Sequence, residues 1–305
     1  MENKKLLTLC IPTNGIIEWV FPVIDSIYEE NIESSKFEVI VTDNGLNEAF
    51  AKKMMIYQDK YNNLIYKKTN AEGFLNQVEA FRLAKGEFVK FINHRTKLLP
   101  GVINNILEFV QENIGDKPVI FYSNGALNFN EDIIKCENFD DFVNSMSYFS
   151  SWSAGLAFWK EDFFNKLENH SYNSLFPHTD ILFCEREKNL YYIDNRVIFE
   201  EITSDSKKKG SYLLFKAFGV DYISIILNLY LSGDIRFITF DNIRKKTLDF
   251  IAYLFVEFKI LKKPCSYDLS DSKKYMNVFY KSSRLNFSII KMFIKKVLRK
   301  FGVFK

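Results

Sequence analysis

The chain has 305 residues, of which 47% are hydrophobic and 26% are charged, a composition that excludes a disordered protein. Its four cysteines are scattered without a Cys-x-x-Cys pair, which argues against a structural zinc site and favours a reducing compartment. The net charge of +3 hides an asymmetry: residues 281–305 hold eight of the 41 Lys and Arg residues and none of the 38 Asp and Glu residues, so the remainder is net acidic.

The start of the chain and its apolar stretches bear on membrane insertion. The first residues do not form a basic segment followed by an apolar one, so no secretory signal is predicted. The longest apolar runs, 222–231 and 250–256, are shorter than the ~20 residues that a membrane-spanning helix needs. We therefore expect a cytoplasmic protein that does not cross a membrane.

Predicted strands and helices alternate along the first part of the chain. Short apolar runs indicate strands, and apolar residues three and four positions apart indicate helices. The strands are 6–11, 37–42, 64–66 and 88–92, and the helices between them are 18–28, 47–61 and 74–84. This alternation is typical of an α/β protein with a parallel sheet, in which right-handed crossovers bring the loops after the strands to one edge.

Polar residues follow three of these strands. Thr13 and Asn14 come after the first strand, Asp43 and Asn44 after the second, and Asn-His-Arg at 93–95 after the fourth. Open α/β sheets bind ligands beside the carboxyl ends of their strands, so these loops form a candidate ligand site. An ordinary solvated loop at 93–97 and a turn-forming role for Asp43 are the alternatives. A dinucleotide site is disfavoured, because the first loop lacks Gly-x-Gly-x-x-Gly.

Four segments resemble, in order and spacing, the N-terminal half of family 2 glycosyltransferases of the GT-A fold. They read LLTLCIPTNG (6–15), FEVIVTDNG (37–45), TNAEGFLNQVEAFRLAKGEFVKFIN (69–93) and LLPG (98–101). The resemblance covers about residues 5–110 and continues more weakly through 153–158 and 176–180. It implies a Rossmann-like, mostly parallel sheet flanked by helices, with a nucleotide-sugar donor bound across the first strand ends.

The resemblance also implies roles for the strand-end residues. Pro12, Thr13 and Asn14 would line the nucleoside pocket, and Asp43 would accept a hydrogen bond from a ring N–H of the base. The complete set of predicted donor-binding residues is Pro12, Thr13, Asn14, Asp43, Asn44, Asn93, His94 and Arg95.

The chain departs from the family where Asn93-His94-Arg95 replaces an Asp-x-Asp motif. In the family those carboxylates hold Mg²⁺ or Mn²⁺, which neutralises the departing diphosphate. Asn93 is at most a weak ligand, and the permanently charged Arg95 cannot bind a metal. Arg95 can instead supply positive charge to the phosphates, with His94 and Lys97 adding to it. We therefore expect a metal-independent site with no required cofactor; Mg²⁺ or Mn²⁺ would be needed if that prediction fails.

The segment 176–180 falls where inverting members of the family carry Glu-Asp before a helix. An inverting transfer needs a carboxylate to take the proton of the acceptor hydroxyl. Asp180 is the candidate base, and His178 is its substitute. Asp180 can equally cap a helix at 181–187, and the two roles are compatible. Trp152 is either a sugar-stacking or a core residue, His170 is expected at the surface, and 131–148 is expected to be a mobile segment over the acceptor.

The final hundred residues predict a different architecture, with long helices at 212–232 and 241–262. The polar stretch 204–210 is either a lid or a solvated loop. The last helix, 286–301, has an apolar side and a basic side, which predicts contact with an anionic membrane surface. Packing on the body or binding of RNA are the alternatives, and RNA is disfavoured because no nucleic-acid motif accompanies the helix. The apolar residues are Ile290, Phe293, Ile294, Val297 and Phe301, and the basic residues are Lys291, Lys295, Lys296, Arg299 and Lys300.

These patterns predict two domains: a GT-A domain at 1–205 and a helical extension at 206–305. The expected activity is hexosyl or related transfer from a nucleotide sugar to a lipid-linked or growing bacterial surface saccharide, such as a capsule or O-antigen, at the inner face of the cell membrane. The bacterial setting and the acceptor come from the resemblance. The alternative is a catalytically inactive scaffold that binds partners through its C-terminal helices. A nucleotidyltransferase is less compatible, because the first loop is not a glycine- and lysine-rich phosphate loop.

Overall fold

The computed structural model describes residues 5–167, 170–203 and 210–300. Its contacts divide the chain into two compact units. Unit 1 consists of Met1–Phe142 and Phe149–Ile202, and unit 2 consists of Val143–Tyr148 and Thr203–Lys305. The predicted domain boundary between residues 205 and 206, and most of the predicted loop at 204–210, lie outside the described residues.

The strands are β1 (Leu7–Thr13), β2 (Phe37–Asp43), β3 (Leu64–Lys68), β4 (Phe88–Phe91), β5 (Thr96–Leu98), β6 (Val119–Tyr122), β7 (Ile133–Cys136), β8 (Ala157–Trp159), β9 (Tyr191–Asp194) and β10 (Phe199–Glu201). The helices are α1 (Ile17–Tyr28), α2 (Glu48–Lys60), α3 (Asn76–Leu83), α4 (Val102–Asn113), α5 (Phe139–Met146), α6 (Lys160–Leu167), α7 (Pro177–Leu182), α8 (Leu214–Lys216), α9 (Tyr222–Leu231), α10 (Phe237–Phe255), α11 (Ser272–Met276) and α12 (Ser282–Lys300).

Unit 1 is built on a five-stranded sheet in the order β3-β2-β1-β4-β8. The first four strands are parallel, and β8 pairs antiparallel with β4 at the edge. All seven residues of β2 are buried, as expected for a parallel strand whose two faces are both covered. The observed ends of β1–β4 and α1–α3 differ from the predicted ends by at most two residues. The predicted α/β fold is therefore confirmed.

Two smaller sheets correct the sequence analysis. β5 and β10 pair antiparallel, so residues 96–98, expected to belong to a polar loop and the turn after it, form a strand instead. β9 lies between β6 and β7, so part of the expected mobile segment at 131–148 belongs to a sheet. The rest of that segment contains α5, whose Phe142 and Met146 are buried. Side chains that are buried in this way are fixed by packing, which a mobile segment would not provide.

Unit 2 is helical around its own apolar core, which includes Leu214, Phe215, Ile251, Met276 and Leu285. A π-helical stretch joins α8 to α9, so one helical run extends over Leu214–Leu231. This run is long and apolar enough to cross a membrane, which corrects the expectation that every apolar stretch is too short. It is weak support for a span, because 44% of the run is buried inside the protein, and a core helix of a soluble protein meets the same criteria.

Candidate functional site

The carboxyl ends of β1 and β2 lie side by side, because Thr13 is paired with Asp43 in the register of the two strands. The loops that follow touch each other: Asn44 N–H donates to the Thr13 carbonyl at 3.1 Å. A Cβ at Gly45 would lie 2.0 Å from the Asn14 carbonyl oxygen, so only glycine fits there. Asn14 is exposed, and Pro12 and Asn44 are partly buried. The structure thus brings the first two predicted loops together.

Asp43 is completely buried, and protein groups occupy both of its carboxylate oxygens. Oδ1 accepts from Gly45 N–H at 2.7 Å, whereas Oδ2 accepts from the Tyr66 hydroxyl at 2.9 Å and from Lys68 Nζ at 3.0 Å. Burial and the bond to Asp43 raise the pKa of Tyr66, which therefore stays protonated and donates. Because Lys68 Nζ also donates to the Gly45 carbonyl, it holds the loop after β2 as well as the carboxylate. Asp43 is therefore a structural anchor in this state.

Asn76, at the start of α3, is a central residue that the site prediction omitted. Its buried side-chain amide donates to the Thr13 carbonyl at 3.1 Å and to the Thr42 carbonyl at 2.9 Å, and its oxygen accepts from the Thr69 hydroxyl at 2.7 Å. One side chain thereby joins the ends of three strands. The residue lay inside a quoted motif, but nothing in the sequence alone showed which carbonyls it would reach.

His94 connects the loop after β4 to β1. Its Nδ1 forms a 2.9 Å hydrogen bond with the Thr13 hydroxyl, and its ring packs edge-on against Trp19 at a centroid distance of 5.1 Å. Burial, together with the neighbouring Arg95 charge, lowers the pKa of His94 to about 3. The imidazole is therefore neutral at physiological pH, which corrects the expectation that His94 adds positive charge.

Arg95 has few partners for its charge. Its guanidinium lies 4.0 Å from the Glu201 carboxylate, its side chain is 18% exposed, and its buried Nε has no hydrogen-bond partner among the described residues. Asn93 Oδ1 accepts from the backbone N–H of Arg95 at 3.2 Å. Asn93, His94 and Arg95 supply none of the carboxylate oxygens that Mg²⁺ prefers, and the permanent charge of Arg95 repels a cation. No group of three potential ligands was found in the described ranges.

Lys97 is not part of this cluster. Its Nζ lies 3.5 Å from Glu200 on the neighbouring strand β10. It lines a cavity of about 410 Å³ together with residues such as Glu29 and Glu30, and no predicted donor-binding residue lines that cavity. The expectation that Lys97 assists Arg95 is therefore not supported by its surroundings.

Helix α7 begins at the same edge of the sheet. His178 Nε2 donates to the Ser151 carbonyl at 2.8 Å, and the Thr179 hydroxyl donates to the Ser150 carbonyl at 3.0 Å. The segment that they contact leads into β8, whose first residue pairs with Lys90 near the carboxyl end of β4. Burial lowers the pKa of His178 to about 4, and its Nδ1 has no partner among the described residues. His178 is therefore neutral.

Asp180 lies inside α7 and is not its N-cap. The helix begins at Pro177, and proline favours the first helical position, a signal that the predicted start at 181 overlooked. The Asp180 carboxylate accepts from Asn173 N–H at 2.6 Å and lies 3.9 Å from Nε2 of His170, which is exposed as predicted. Burial raises the pKa of Asp180, while the bond from Asn173 and the His170 charge oppose this shift. A raised pKa makes the carboxylate a stronger base.

Two other side chains support this edge. Trp152 is partly buried and packs edge-on against Phe199 at 5.7 Å, which favours the core alternative over an open sugar-stacking surface. The buried Lys90 donates to the carbonyls of Ala154 at 2.6 Å and Leu156 at 3.3 Å, which joins β4 to the segment before β8. Burial lowers the pKa of Lys90 to about 7.

Comparison with known proteins gives similarity in sequence and in fold. No family model matches the chain. An uncharacterized glycosyltransferase of Mycoplasma genitalium is 25% identical over 112 residues, which span 36% of this chain and 38% of that protein. Staphylococcus aureus TarS 1–349 in complex with UDP-GlcNAc is 13% identical, with a TM-score of 0.63 over 93% of this chain and 81% of TarS 1–349. A longer TarS structure, also 13% identical, gives a TM-score of 0.53 over 83% of this chain and 44% of that one.

The match therefore spans less than half of the curated relative and less than half of the longer TarS structure. At this level of identity the solved structures establish the fold alone. This chain has the mixed α/β fold of TarS, a protein that binds UDP-GlcNAc, and part of its sequence is similar to that of a glycosyltransferase.

Proposed function

We propose that the protein is a glycosyltransferase that moves a hexosyl or related residue from a nucleotide-sugar donor to a lipid-linked or growing bacterial surface saccharide, such as a capsule or O-antigen. The observation that carries the proposal is the polar network of Thr13, Asp43, Asn76 and His94 at the carboxyl edge of the sheet. Ligands of open α/β sheets bind at this edge. The similarity to a glycosyltransferase and the fold shared with a UDP-GlcNAc-binding protein support the donor class.

The nucleoside is proposed to lie over the loops after β1 and β2. The exposed Asn14 offers an amide group there, on a backbone that Gly45 and Asn76 hold in place. The side-chain NH2 of Asn44 already donates to the Ala71 carbonyl at 2.9 Å, so Asn44 would present its amide oxygen. A base N–H would reach Asp43 by taking the place of Lys68, whose side chain is about half-exposed and can turn into solvent. Lys68 would then be free to approach the diphosphate. The bidentate fork of Arg95 would bind the phosphate oxygens, since the only partner of its guanidinium among the described residues is Glu201 at 4.0 Å.

The transfer itself is proposed to be inverting. Asp180 takes the proton of the acceptor hydroxyl, and the acceptor oxygen attacks C1 of the sugar as the bond from C1 to the diphosphate oxygen breaks. The nucleoside diphosphate leaves with the bonding electron pair, and Arg95 stabilises its added negative charge. The side chains at Asn93-His94-Arg95 favour departure of the nucleoside diphosphate with help from the Arg95 charge and without a divalent ion. Arg95 would repel a metal, and few carboxylates are present to offset that repulsion.

The test begins with donor binding by the full chain. UDP-, GDP- and dTDP-sugars are screened by thermal shift, because a ligand that binds only the folded state raises its stability. Release of nucleoside diphosphate is then measured in excess chelator. We expect a stabilising donor whose turnover is lost in Arg95→Ala and retained in Lys97→Ala, which removes a neighbouring cation that is paired with Glu200.

Three outcomes decide between the alternatives. Chelator-resistant turnover supports the proposed transferase. If turnover stops with chelator and returns with Mn²⁺, the protein is still a transferase, but the metal-independent mechanism is wrong. Donor binding without transfer or hydrolysis by the folded protein, across all donors and metals, rejects the enzyme and favours the scaffold.

A further inference from the structure

Helix α12 has an inner face that packs on unit 2. Leu285 and Ser288 are buried, and Ile289 and Met292 are partly buried. The Ser288 hydroxyl donates to the Asp249 carboxylate of α10 at 3.3 Å. These positions are three and four residues apart, so they form one side of the helix. The residues that pack α12 on unit 2 are therefore different from the apolar residues that the sequence analysis singled out.

Those residues form a second, outer apolar face. They recur at three- and four-residue spacing on the side opposite the inner face, and each is between 37% and 69% exposed. The outer apolar face consists of Phe287, Ile290, Phe293, Ile294 and Val297, of which Phe287 was not among the predicted apolar residues. The predicted alternative, in which this side packs on the body, is wrong for the described residues; Phe301 lies outside them. A contiguous apolar stripe on a monomer is typical of an interaction surface.

A row of cations borders the outer apolar face on one side. Arg284, Lys291, Lys295 and Arg299 are exposed and recur at seven- and four-residue spacing, so they lie on one side of the helix. Lys291 is paired with the partly exposed Asp249 at 3.3 Å, and the structure gives the other three no acidic partner among the described residues. Lys296, predicted on the basic side, lies instead beside Glu257 and over the Tyr253 ring at 5.5 Å. Arg284, Lys295 and Arg299 therefore provide the uncompensated charge of the border.

We propose that the outer face of α12 binds the surface of a bilayer that contains anionic lipids. An interfacial helix lies in the membrane plane with its apolar side between the acyl chains and its Lys and Arg side chains at the headgroups. The long stems of Lys295 and Arg299 let their charges reach the phosphates while Ile294 and Phe293 are buried. Each cation near such a surface contributes about 1 kcal/mol.

Charge complementarity favours the bilayer over a second copy of the chain. Residues 281–305 contain no Asp or Glu, so two α12 helices packed face to face would bring like charges together. An anionic bilayer neutralises the row and accepts the apolar stripe at the same time. The remainder of the chain is net acidic, so the same surface repels it and leaves α12 as the attachment site.

The test is cosedimentation of the full chain with vesicles. One set is pure phosphatidylcholine, and the other contains one-third phosphatidylglycerol. Point substitutions are preferable to truncation before residue 286, because the inner face of α12 belongs to the core of unit 2. We expect binding to the anionic vesicles, weak or no binding to the neutral ones, and loss of binding at high salt.

Two double variants separate the apolar and basic contributions. Ile290→Ser with Ile294→Ser should lower the partition coefficient at least about tenfold, because apolar area is no longer buried. Lys295→Gln with Arg299→Gln should lower it roughly 30-fold on anionic vesicles. The matched controls, expected to bind like the wild type, are Ile56→Ser, an isoleucine that is 65% exposed on α2, and Lys273→Gln with Lys274→Gln on α11.

Several results would overturn the proposal. Equal sedimentation of the wild type and both double variants, with folding verified by circular dichroism, excludes the outer face. Equal binding to both vesicle types excludes recognition of anionic lipid. A dimer in sedimentation velocity that Ile290→Ser with Ile294→Ser dissociates assigns the face to a second copy. None of these variants touches the proposed donor site, so a failure here leaves the proposed transferase untouched.

Discussion

The two halves of the candidate site differ in how far the protein satisfies its own polar groups. On the proposed nucleoside side, Asp43 and Asn76 have protein partners for their side-chain polar atoms. On the proposed reacting side, Arg95 has an unpartnered Nε among the described residues, and the Asp180 carboxylate has one backbone donor and a histidine 3.9 Å away. A satisfied network is rigid before a ligand arrives, whereas groups with unused capacity can bind one. On the proposed mechanism, the satisfied groups would form a preformed recognition surface and the groups with unused capacity would take part in the chemistry.

The largest expected effect tests Asp180. If it is the base, Asp180→Asn should lower transfer by about 10²–10⁴-fold and leave donor affinity unchanged, because only proton removal is lost. Burial raises the pKa of Asp180, so the wild-type rate should fall with acid at a higher pH than for an ordinary aspartate. Asp162→Asn is the matched control, since Asp162 is another buried aspartate, paired with Lys188 at 3.1 Å. Turnover of Asp180→Asn within a few-fold of the wild type would leave Asp180 with a structural role only.

Arg95 is expected to have the next largest effect. Arg95→Ala should lower transfer by about 10²–10³-fold, because the leaving diphosphate loses its charge stabilisation. Arg95→Lys should restore part of the rate, since a point charge cannot reproduce a bidentate fork. Initial rates are measured in excess chelator and again with Mn²⁺. An Arg95→Ala enzyme as fast as the wild type would place the neutralising charge elsewhere, and Lys68 would be the next residue to test.

The buried histidines predict acid sensitivity of the fold. Burial holds the folded pKa of His94 at about 3 and that of His178 at about 4, below the ~6.5 of an unfolded histidine. Above pH 6.5 both states are neutral. As pH falls, the unfolded state binds protons first, so the free energy of unfolding decreases until the folded pKa is reached. At pH 5 each histidine should lower the free energy of unfolding by about 2 kcal/mol relative to neutral pH.

Denaturant titrations at several pH values measure this slope. His178→Asn should be less stable than the wild type at pH 7.5 and should lose less stability between pH 7.5 and pH 5. His170→Asn is the matched control, because His170 is an exposed histidine. An identical slope in His178→Asn and the wild type would mean that the pKa of His178 is the same in the folded and unfolded states.

The smallest effects are expected on the proposed nucleoside side, where the polar groups have protein partners. Asp43→Ala should weaken nucleotide binding and also cost about 1–3 kcal/mol of stability, because the Tyr66 hydroxyl loses its acceptor. Lys68→Ala should cost at most about 1 kcal/mol, since the pair is partly exposed. If the base replaces Lys68 on Asp43, this variant should keep or improve nucleotide affinity. Lys67→Ala, on the opposite face of β3, is the control.

Calorimetry measures the nucleotide affinity of these variants, and thermal unfolding measures their stability. Unchanged nucleotide affinity in a folded Asp43→Ala protein would remove Asp43 from the pocket. A large loss of affinity in Lys68→Ala would instead make Lys68 itself a donor-binding residue in its present position.

Local signals in the sequence were sufficient for the first half of the fold and for the contact between the loops that follow β1 and β2. The apolar run at 37–42 ends at Asp43, and parallel topology then predicts that Asp43 and Thr13 share an edge. The partners of Asp43 were not predictable, because Lys68 opposes it only through the register of β2 and β3. Register depends on tertiary packing, which a local pattern does not contain.

The same limit applies to α7 and α12. The contact between Asp180 and His170 joins segments that no periodicity links. In α12 the predicted apolar stripe contained four residues that the structure places on the outer face, but the residues that pack on unit 2 are different ones. A helix with apolar residues on two sides does not reveal which side faces the core, since both have helical spacing.

The pairing of β5 with β10 bears on the order in which the protein is made. β5 carries Thr96 next to Arg95, and its partner Glu201 lies more than a hundred residues later. During synthesis the first four parallel strands can assemble, with the Asp43 network, long before the ribosome reaches β10. A fragment of about 110 residues would therefore contain Arg95 but not Glu201, the acidic residue that lies 4.0 Å from its guanidinium. If the proposed roles are correct, we expect this fragment to bind nucleosides more readily than nucleotide sugars.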